Sequence, residues 1–557
     1  MYNLYEKLLR KFADALIATQ LNNVDPSLNG GFLCHCCKNI HGRSIDAIYG
    51  LAVCYKRFKD EKYLKALISL FNYSDNVLCT DGGLYNDLQT EWRFTTTFHE
   101  IALVETLNSC EDILPAELVS KIKARIAIHG KWLYENLDEK SAANINYCTT
   151  NALALLLAGQ KLNKEEYIKQ SEKLVKYAIS HISKNNLFYG EWQPHNQKSP
   201  KGCLGIDIGY NLEESLPAMA KYALASKNKE VYDVVLKFGL GHLMFILPDG
   251  AIDNSFGDRN YKWTYYGSRT CDGILPLCVV LGKDDPRFIE AAYRNLELID
   301  KCAPNGYLYG GPDYQKHGEQ PCLHHTFEHI NAVAFAVDNY SEEYLSKPNV
   351  KLPSEDNQNI YLEEMNAYRV SNEKFIMDVS NYDVNIPYNG HLAGNSITLL
   401  YNKVTNKPYI VGAVGDYQLT EQTNMQVPLD RDHHRPLFPR FDVKVGKLTY
   451  STGYDVGANL KLGPNTFEFS VGFANRNGEY LNDTRYLVKY ALEEDYLQIS
   501  ISSEDEFEYI LPLVNGELEL ENGKVTKEEE IFFLTPGFIA KEYRLKSVNG
   551  TIILKIK

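Results

Sequence analysis

The chain has 557 residues, too many for a single hydrophobic core, so two domains are expected, with three as the upper bound. A formal net charge of −14 speaks against nucleic acid as a partner and requires any anionic ligand to be held in a local basic pocket. The apolar fraction of 44% is that of a globular protein, and no apolar run reaches the length of a membrane span.

The N-terminal stretch Met1-Tyr-Asn-Leu-Tyr-Glu-Lys-Leu-Leu-Arg10 begins an amphipathic helix rather than a signal peptide, so a cytoplasmic location is expected. All 12 cysteines lie between Cys34 and Cys322. The cluster Cys34-His35-Cys36-Cys37 has no second CxxC pair after it, and its crowding predicts free, buried thiols rather than a zinc knuckle. From there to about residue 345 the apolar period is helical. Spacings of i, i+3, i+4 predict helices over Ile45–Tyr55, Tyr63–Phe71, Phe98–Leu107, Leu118–Leu133, Ala152–Leu157 and Tyr167–Ile182. Five more follow, over Leu212–Ala225, Val231–Phe245, Gly273–Leu281, Phe288–Ile299 and His325–Val337. Short polar connectors make these successive helical hairpins, which predicts an α/α toroid with a cleft built from its longer loops. A solenoid would show a fixed sequence period, and none is present.

Residues 347–359, rich in Pro, Asn and Lys, read as a linker. Beyond it the apolar period becomes two, as in Ile397-Leu399-Tyr401 and Tyr486-Val488-Tyr490, with Gly/Asn turns between. The plan is an α/α toroid over 1–346, a linker over 347–359 and an antiparallel β-sandwich over 360–557.

Four segments carry chemistry. Asn144-Ile-Asn146-Tyr147 precedes a helix, and Asn146 is compatible with both a helix cap and a substrate-facing amide. Gly209-Tyr210-Asn211-Leu-Glu-Glu214 offers a phenol, an amide and a carboxyl at a helix start, where acidic residues also suit the helix dipole. Asp258 to Gly273 is dense in aromatic and basic residues. Trp263, Tyr265 and Tyr266 predict a sugar-stacking surface, and Arg269 predicts pairing with a carboxylate or sulfate. His325 and His329 lie one helical turn apart, near the predicted cleft rim, and Trp192 is either a platform or a hairpin anchor.

At the entrance to the sandwich, Asn389-Gly-His391-Leu-Ala393-Gly-Asn395-Ser396 leads directly into a strand. With the segments above, this arrangement resembles the heparinase II/III-like polysaccharide lyases and their alginate-lyase relatives. That family shows His-x-His-x-Asp-x-x-Ser at the same place. Ser396 anchors the match, His391 takes the place of the second His, Asn389 replaces the first and Ala393 replaces the Asp. The resemblance implies β-elimination on a uronic-acid glycan of glycosaminoglycan or alginate type. Within it, Asn146 neutralises the uronate carboxylate, while Tyr210 and His391 move protons, with Tyr266 as a second phenol. Arg269, Trp263, Tyr265, Asn211, Glu214, Trp192, His325 and His329 are the expected substrate contacts. The resemblance also implies a structural divalent metal, zinc or similar, on His391, Asp416 and His433 or His434, with no organic cofactor. The expected partner is an acidic oligosaccharide or polysaccharide, with no membrane; the sequence does not fix the oligomeric state.

The chemistry matches those residue types. A proton α to an ionised carboxylate is too weakly acidic to remove until an amide, acid or cation neutralises that carboxylate. A tyrosine starts near pKa ~10 and needs nearby positive charge to act as a base. Two other functions stay open at this level. A glycoside hydrolase would need a carboxyl pair, for which Asp207, Glu214, Asp253 and Asp258 are available. A glycan-binding protein without activity would need only the aromatic surface.

Overall fold

A computed structural model describes residues 3–86, 92–384, 394–412 and 437–557, apart from Pro464, Arg476 and Leu534. The helical part comprises α1 (Leu4–Ala18), α2 (Ile48–Phe58), α3 (Glu61–Tyr73), α4 (Thr96–Cys110), α5 (Ala116–Asn136), α6 (Ile145–Leu162) and α7 (Glu165–Ile179). It continues with α8 (Ile208–Tyr210), α9 (Leu216–Ser226), α10 (Lys229–His242), α11 (Leu275–Leu281), α12 (Pro286–Cys302), α13 (Tyr314–His317) and α14 (Leu323–Asn339).

Six helices form a closed inner ring in which α2 packs on α4, α4 on α6, α6 on α9, α9 on α11, α11 on α14 and α14 on α2. Each has an outer partner: α3, α5, α7, α10 and α12 follow their inner helices in sequence, and α1 covers α14. Burial follows from this arrangement. The inner α6 is buried without a break from Ile145 to Gly159, whereas the outer α7 buries only Tyr167, Ser171, Leu174, Val175 and Ala178 on one face. The sequence places the middle of α6 correctly. The apolar spacing marks only that middle, because Asn146, Thr149, Thr150 and Asn151 break the pattern while packing inside the ring.

A two-stranded hairpin, β1 (Trp263–Thr264) and β2 (Gly267–Ser268), interrupts the toroid. The C-terminal part begins with an antiparallel sheet of β3 (Asn359–Leu362), β4 (Ala367–Ser371), β5 (Phe375–Ser380), β6 (Ser396–Asn402) and β7 (Lys407–Val411), paired in chain order. The hairpin β8 (Asp442–Val445) and β9 (Leu448–Ser451) follows. Then come β10 (Asn459–Gly463), β11 (Thr466–Val471), β12 (Tyr486–Leu492), β13 (Leu497–Ser502), β14 (Glu508–Leu513), β15 (Leu518–Glu521), β16 (Gly523–Phe533), β17 (Phe538–Ser547) and β18 (Thr551–Ile556). They pair as β10-β11-β12-β13-β18-β15 and β14-β17-β16. One sandwich core joins Phe375, Met377, Ile397 and Ile410 of the first sheet to Phe469, Val488, Ile499 and Leu554 of the second.

The first sheet is buried on both faces. Ile376, Leu399, Tyr401 and Val411 point away from the sandwich and join the helical core. Arg369 of β4 crosses the boundary: its Nε and Nη2 bind the two carboxyl oxygens of Asp378 at 2.8 and 2.7 Å, and it also pairs with Asp253 of the toroid. The backbones meet again at Gly311 and Gly537. A Cβ on Gly311 would lie 2.2 Å from the Pro536 carbonyl, so only glycine permits this contact. The expected linker is a docked segment. The Ser354 hydroxyl donates to the Ile246 carbonyl at 2.5 Å, and Glu355 pairs with Arg294 at 3.1 Å.

Candidate active site

Asn144, in extended conformation, occupies the N-cap position of α6, and its Oδ1 accepts the Trp192 backbone N–H at 3.2 Å. Asn146 is therefore inside the helix and not its cap. Its Nδ2 donates to Glu214 Oε2 at 2.7 Å, and its Oδ1 has no protein donor among the described residues. Glu214 reaches this place because α8 runs into α9 through a π turn over Asn211–Ser215, a local widening of a kind that often marks functional sites. Burial pushes the Glu214 carboxyl up to about 8, Asp272 adds to the rise, and Arg43, Asn146 and Arg259 oppose it. Near neutrality Glu214 therefore holds a proton for much of the time.

Tyr210 lies four residues before Glu214. Asp207 accepts the Tyr210 backbone N–H at 3.0 Å, starting the helix. The phenol oxygen contacts Thr270 Oγ1 and accepts from Lys262 Nζ at 3.1 Å, and the Arg259 guanidinium lies 3.6 Å above the ring. Arg259 is fixed in turn by Glu191 at 2.5 Å and Asp207 at 3.0 Å. Two cations thus bear on one phenol, an arrangement that favours negative charge on its oxygen. Arg259 (φ 52°) and Trp192 (φ 65°) are the two left-handed residues among those described that are neither Gly, Asn nor Lys. They flank the same ion pair, and strain of this kind gathers at functional sites.

A second charged layer lies against the first. Arg43 pairs with Glu328 at 2.7 Å, Asp272 at 3.0 Å and Asp46 at 3.1 Å. Three carboxyls around one buried cation cannot all ionise easily. Burial raises Glu328 and Asp272, and pushes Asp46 up to about 7. From α14, His329 turns its Nδ1 to the His325 carbonyl at 2.9 Å, which fixes the proton there and leaves Nε2 facing Glu213, 3.7 Å away. The Glu213 Oε2 accepts the Ser268 backbone N–H at 2.6 Å, tying the β1–β2 hairpin to the π turn. Burial lowers the pKa of His325, with Arg269 and His329 adding to the effect.

The structure therefore gathers Asn146, Tyr210, Glu214, His325 and His329 around one end of the ring. It corrects other expectations. Trp263 is fully buried, with Nε1 on the Ile252 carbonyl at 2.8 Å, and Tyr265 binds Asp249 at 3.0 Å and meets the edge of Phe538. Their density comes from the contact between toroid and sandwich, and neither offers a face to a sugar. Tyr266 is also fully buried, its ring edge-on to His325 and His329, and burial raises its pKa far above that of a free phenol. Arg269 is buried and donates to the Tyr314 hydroxyl at 2.5 Å, so the cations beside Tyr210 are Arg259 and Lys262 instead. Asn211 holds the Phe188 carbonyl at 2.8 Å and His242 at 3.1 Å, a structural tie. Trp192 is half-buried. His391, Asp416, His433 and His434 lie outside the described residues.

Sequence reasoning missed three contributors. Asn254 is fully buried with no partner for either amide atom among the described residues, and its Nδ2 is 3.0 Å from the place a Cβ on Gly209 would occupy. Trp92 is 37% exposed and donates from Nε1 to the Tyr147 hydroxyl at 2.9 Å. Arg43 is the hub of the acidic layer. A lone Asn, Trp or Arg carries no spacing signal, although Trp92 as an isolated aromatic in a polar loop was the most readable of them.

A toroid joined to a sandwich, with an amide, a cation-flanked phenol and carboxyls whose pKa burial raises at one end, is an arrangement that fits a polysaccharide lyase. A family model described as the ulvan lyase N-terminal domain matches residues 9–355, and one described as the ulvan lyase C-terminal domain matches residues 360–537. The chain belongs to the ulvan lyase family. It is 30% identical over 578 aligned positions to a broad-specificity ulvan lyase of Formosa agariphila, across 100% of this chain and 88% of that one. Among solved structures it is similar to the Streptomyces coelicolor chondroitin AC lyase, with 10% identity, TM-score 0.54, and coverage of 99% of this chain and 79% of that one. Heparinase III aligns over 91% of this chain and 75% of its own, at 11% identity and TM-score 0.45. Membership in a lyase family sets aside the hydrolase and the inactive binding protein. Of the carboxyls considered for hydrolysis, Asp253 is held by Arg369 and Asp207 by Arg259.

Proposed function

We propose that this lyase cleaves a uronate-bearing polysaccharide by β-elimination, with ulvan, named for its relative, as the first candidate substrate. The observation that carries this reading is the Asn146–Glu214 hydrogen bond at 2.7 Å beside a carboxyl whose pKa is pushed up to about 8. An amide and a neutral acid together can donate to the substrate carboxylate, withdraw its charge and acidify the C5 proton. Tyr210 removes that proton or delivers one to the departing C4 oxygen, with Lys262 and Arg259 stabilising the phenolate between the two steps. His325 and His329 border the same region and are the second candidates for proton transfer. Trp92 supplies an aromatic face on the approach.

The test is incubation with ulvan, heparan sulfate and alginate, following both the ultraviolet absorbance of a new unsaturated uronate and the release of reducing ends. Absorbance rising in step with reducing ends on ulvan supports the proposal. Reducing ends without absorbance overturn elimination, and absorbance confined to another glycan overturns the substrate.

A further inference from the structure

Four ligand-bearing side chains converge away from the proton-transfer residues: Cys34, Cys37, His41 and Cys322, all buried, with their donor atoms within 4.8 Å of one another. The other cysteines do not cluster in this way. Cys54 and Cys110, for example, turn singly toward the carbonyls of Leu9 and Ala52. In the cluster, Cys34 Sγ lies 3.8 Å from Cys322 Sγ, His41 Nε2 lies 3.1 Å from Cys37 Sγ, and His41 Nε2 lies 3.8 Å from Cys322 Sγ. A zinc ion with Zn–S of about 2.3 Å and Zn–N of about 2.0 Å in a tetrahedron sets S···S near ~3.8 Å and S···N near ~3.5 Å. These three spacings lie within about half an ångström of those values, and the 3.8 Å sulfur separation is far beyond a disulfide bond.

The backbone is shaped for the same end. Cys34 N–H donates to the Asn39 carbonyl at 2.9 Å and Lys38 N–H to the Cys34 carbonyl at 3.0 Å, with Lys38 left-handed at φ 59°. This tight turn brings the first and fourth residues of Cys34-His35-Cys36-Cys37 to one side, so the run contains a CxxC pair that its crowding obscured. The Leu323 backbone N–H also points at Cys34 Sγ, 3.5 Å away, as an amide that stabilises a metal-bound thiolate does.

We propose that Cys34, Cys37, His41 and Cys322 form a closed, four-coordinate zinc site of structural type. Three cysteines and one histidine leave no open position, so the ion takes no part in elimination. Its effect is on position. His41 immediately precedes the turn that carries Arg43 and Asp46, and Cys322 is the N-cap of α14, which carries His325, Glu328 and His329. One ion would thereby fix both sides of the acidic layer and join the loop after α1 to the start of α14.

The test uses the full chain purified in reductant, dialysed against EDTA and analysed for metals, then exchanged with Co(II). About one zinc per chain is expected. The cobalt form should show intense tetrahedral d–d bands and a near-ultraviolet thiolate-to-cobalt band, which a sulfur-free site in the sandwich cannot produce. Titration of the wild-type zinc protein with a mercurial should release one zinc as three thiols react, a reading that does not depend on a variant folding. Cys322→Ser should lose about a third of the thiolate band. The site is overturned by a cobalt form without that band, by thiols that react in native protein with no zinc released, or by a Cys34–Cys322 disulfide in the mass spectrum.

Discussion

The buried arginines of this molecule do different work. Arg369, between toroid and sandwich, grips Asp378 through both carboxyl oxygens and also holds Asp253, and none of these three side chains has an unpartnered polar atom among the described residues. Around Arg43 and Arg259, by contrast, Asn146 Oδ1 and both amide atoms of Asn254 have no hydrogen-bond partner among the described residues. A buried charge kept for structure satisfies its neighbours. One kept for chemistry leaves them waiting for a substrate.

That contrast can be broken by separating activity from stability. Tyr210→Phe should lower kcat by roughly 10³-fold while leaving the thermal midpoint nearly unchanged, as measured by the unsaturated-uronate assay and calorimetry. Arg369→Ala should do the reverse. Leaving Asp253 and Asp378 without their cation costs about 3–5 kcal/mol of stability in denaturant titration, with kcat/KM of the folded fraction retained. Asn146→Ala should reduce kcat by about 10²-fold, with little effect on the melting temperature.

Glu214 sharpens the comparison through pH. Its folded pKa of about 8 lies above the unfolded value near ~4.3, so the folded chain keeps a proton that the unfolded chain releases. Stability from this group is full below the unfolded value and falls as pH rises through the window up to about 8. Glu214→Gln should flatten that slope in melting curves taken from pH 5 to 8. The smallest effect belongs to Trp92→Ala, which should raise KM several-fold with kcat little changed, since one aromatic face contributes about 1 kcal/mol.

The helical hairpins were legible because outer helices such as α7 and α12 bury one stripe, and the strands because the apolar period changes to two. Asn146, Tyr210 and Glu214 were legible as polar groups placed where a helix begins. The segment Trp263–Arg269 misled for a physical reason: aromatics and arginine packed at a domain contact have the same composition as a sugar platform, and only burial tells them apart. The Arg259–Tyr210 stack and the Cys322 contribution arise from separations of tens to hundreds of residues, which no local pattern encodes.

The pairing of α1 with α14 has a consequence for biosynthesis. The first helix emerges from the ribosome without the neighbour that will cover it, and that neighbour begins at Leu323. At ~10 residues per second the wait is about half a minute. Throughout that interval the part of the apolar flank of α1 that α14 will cover stays available to chaperones and to other nascent chains.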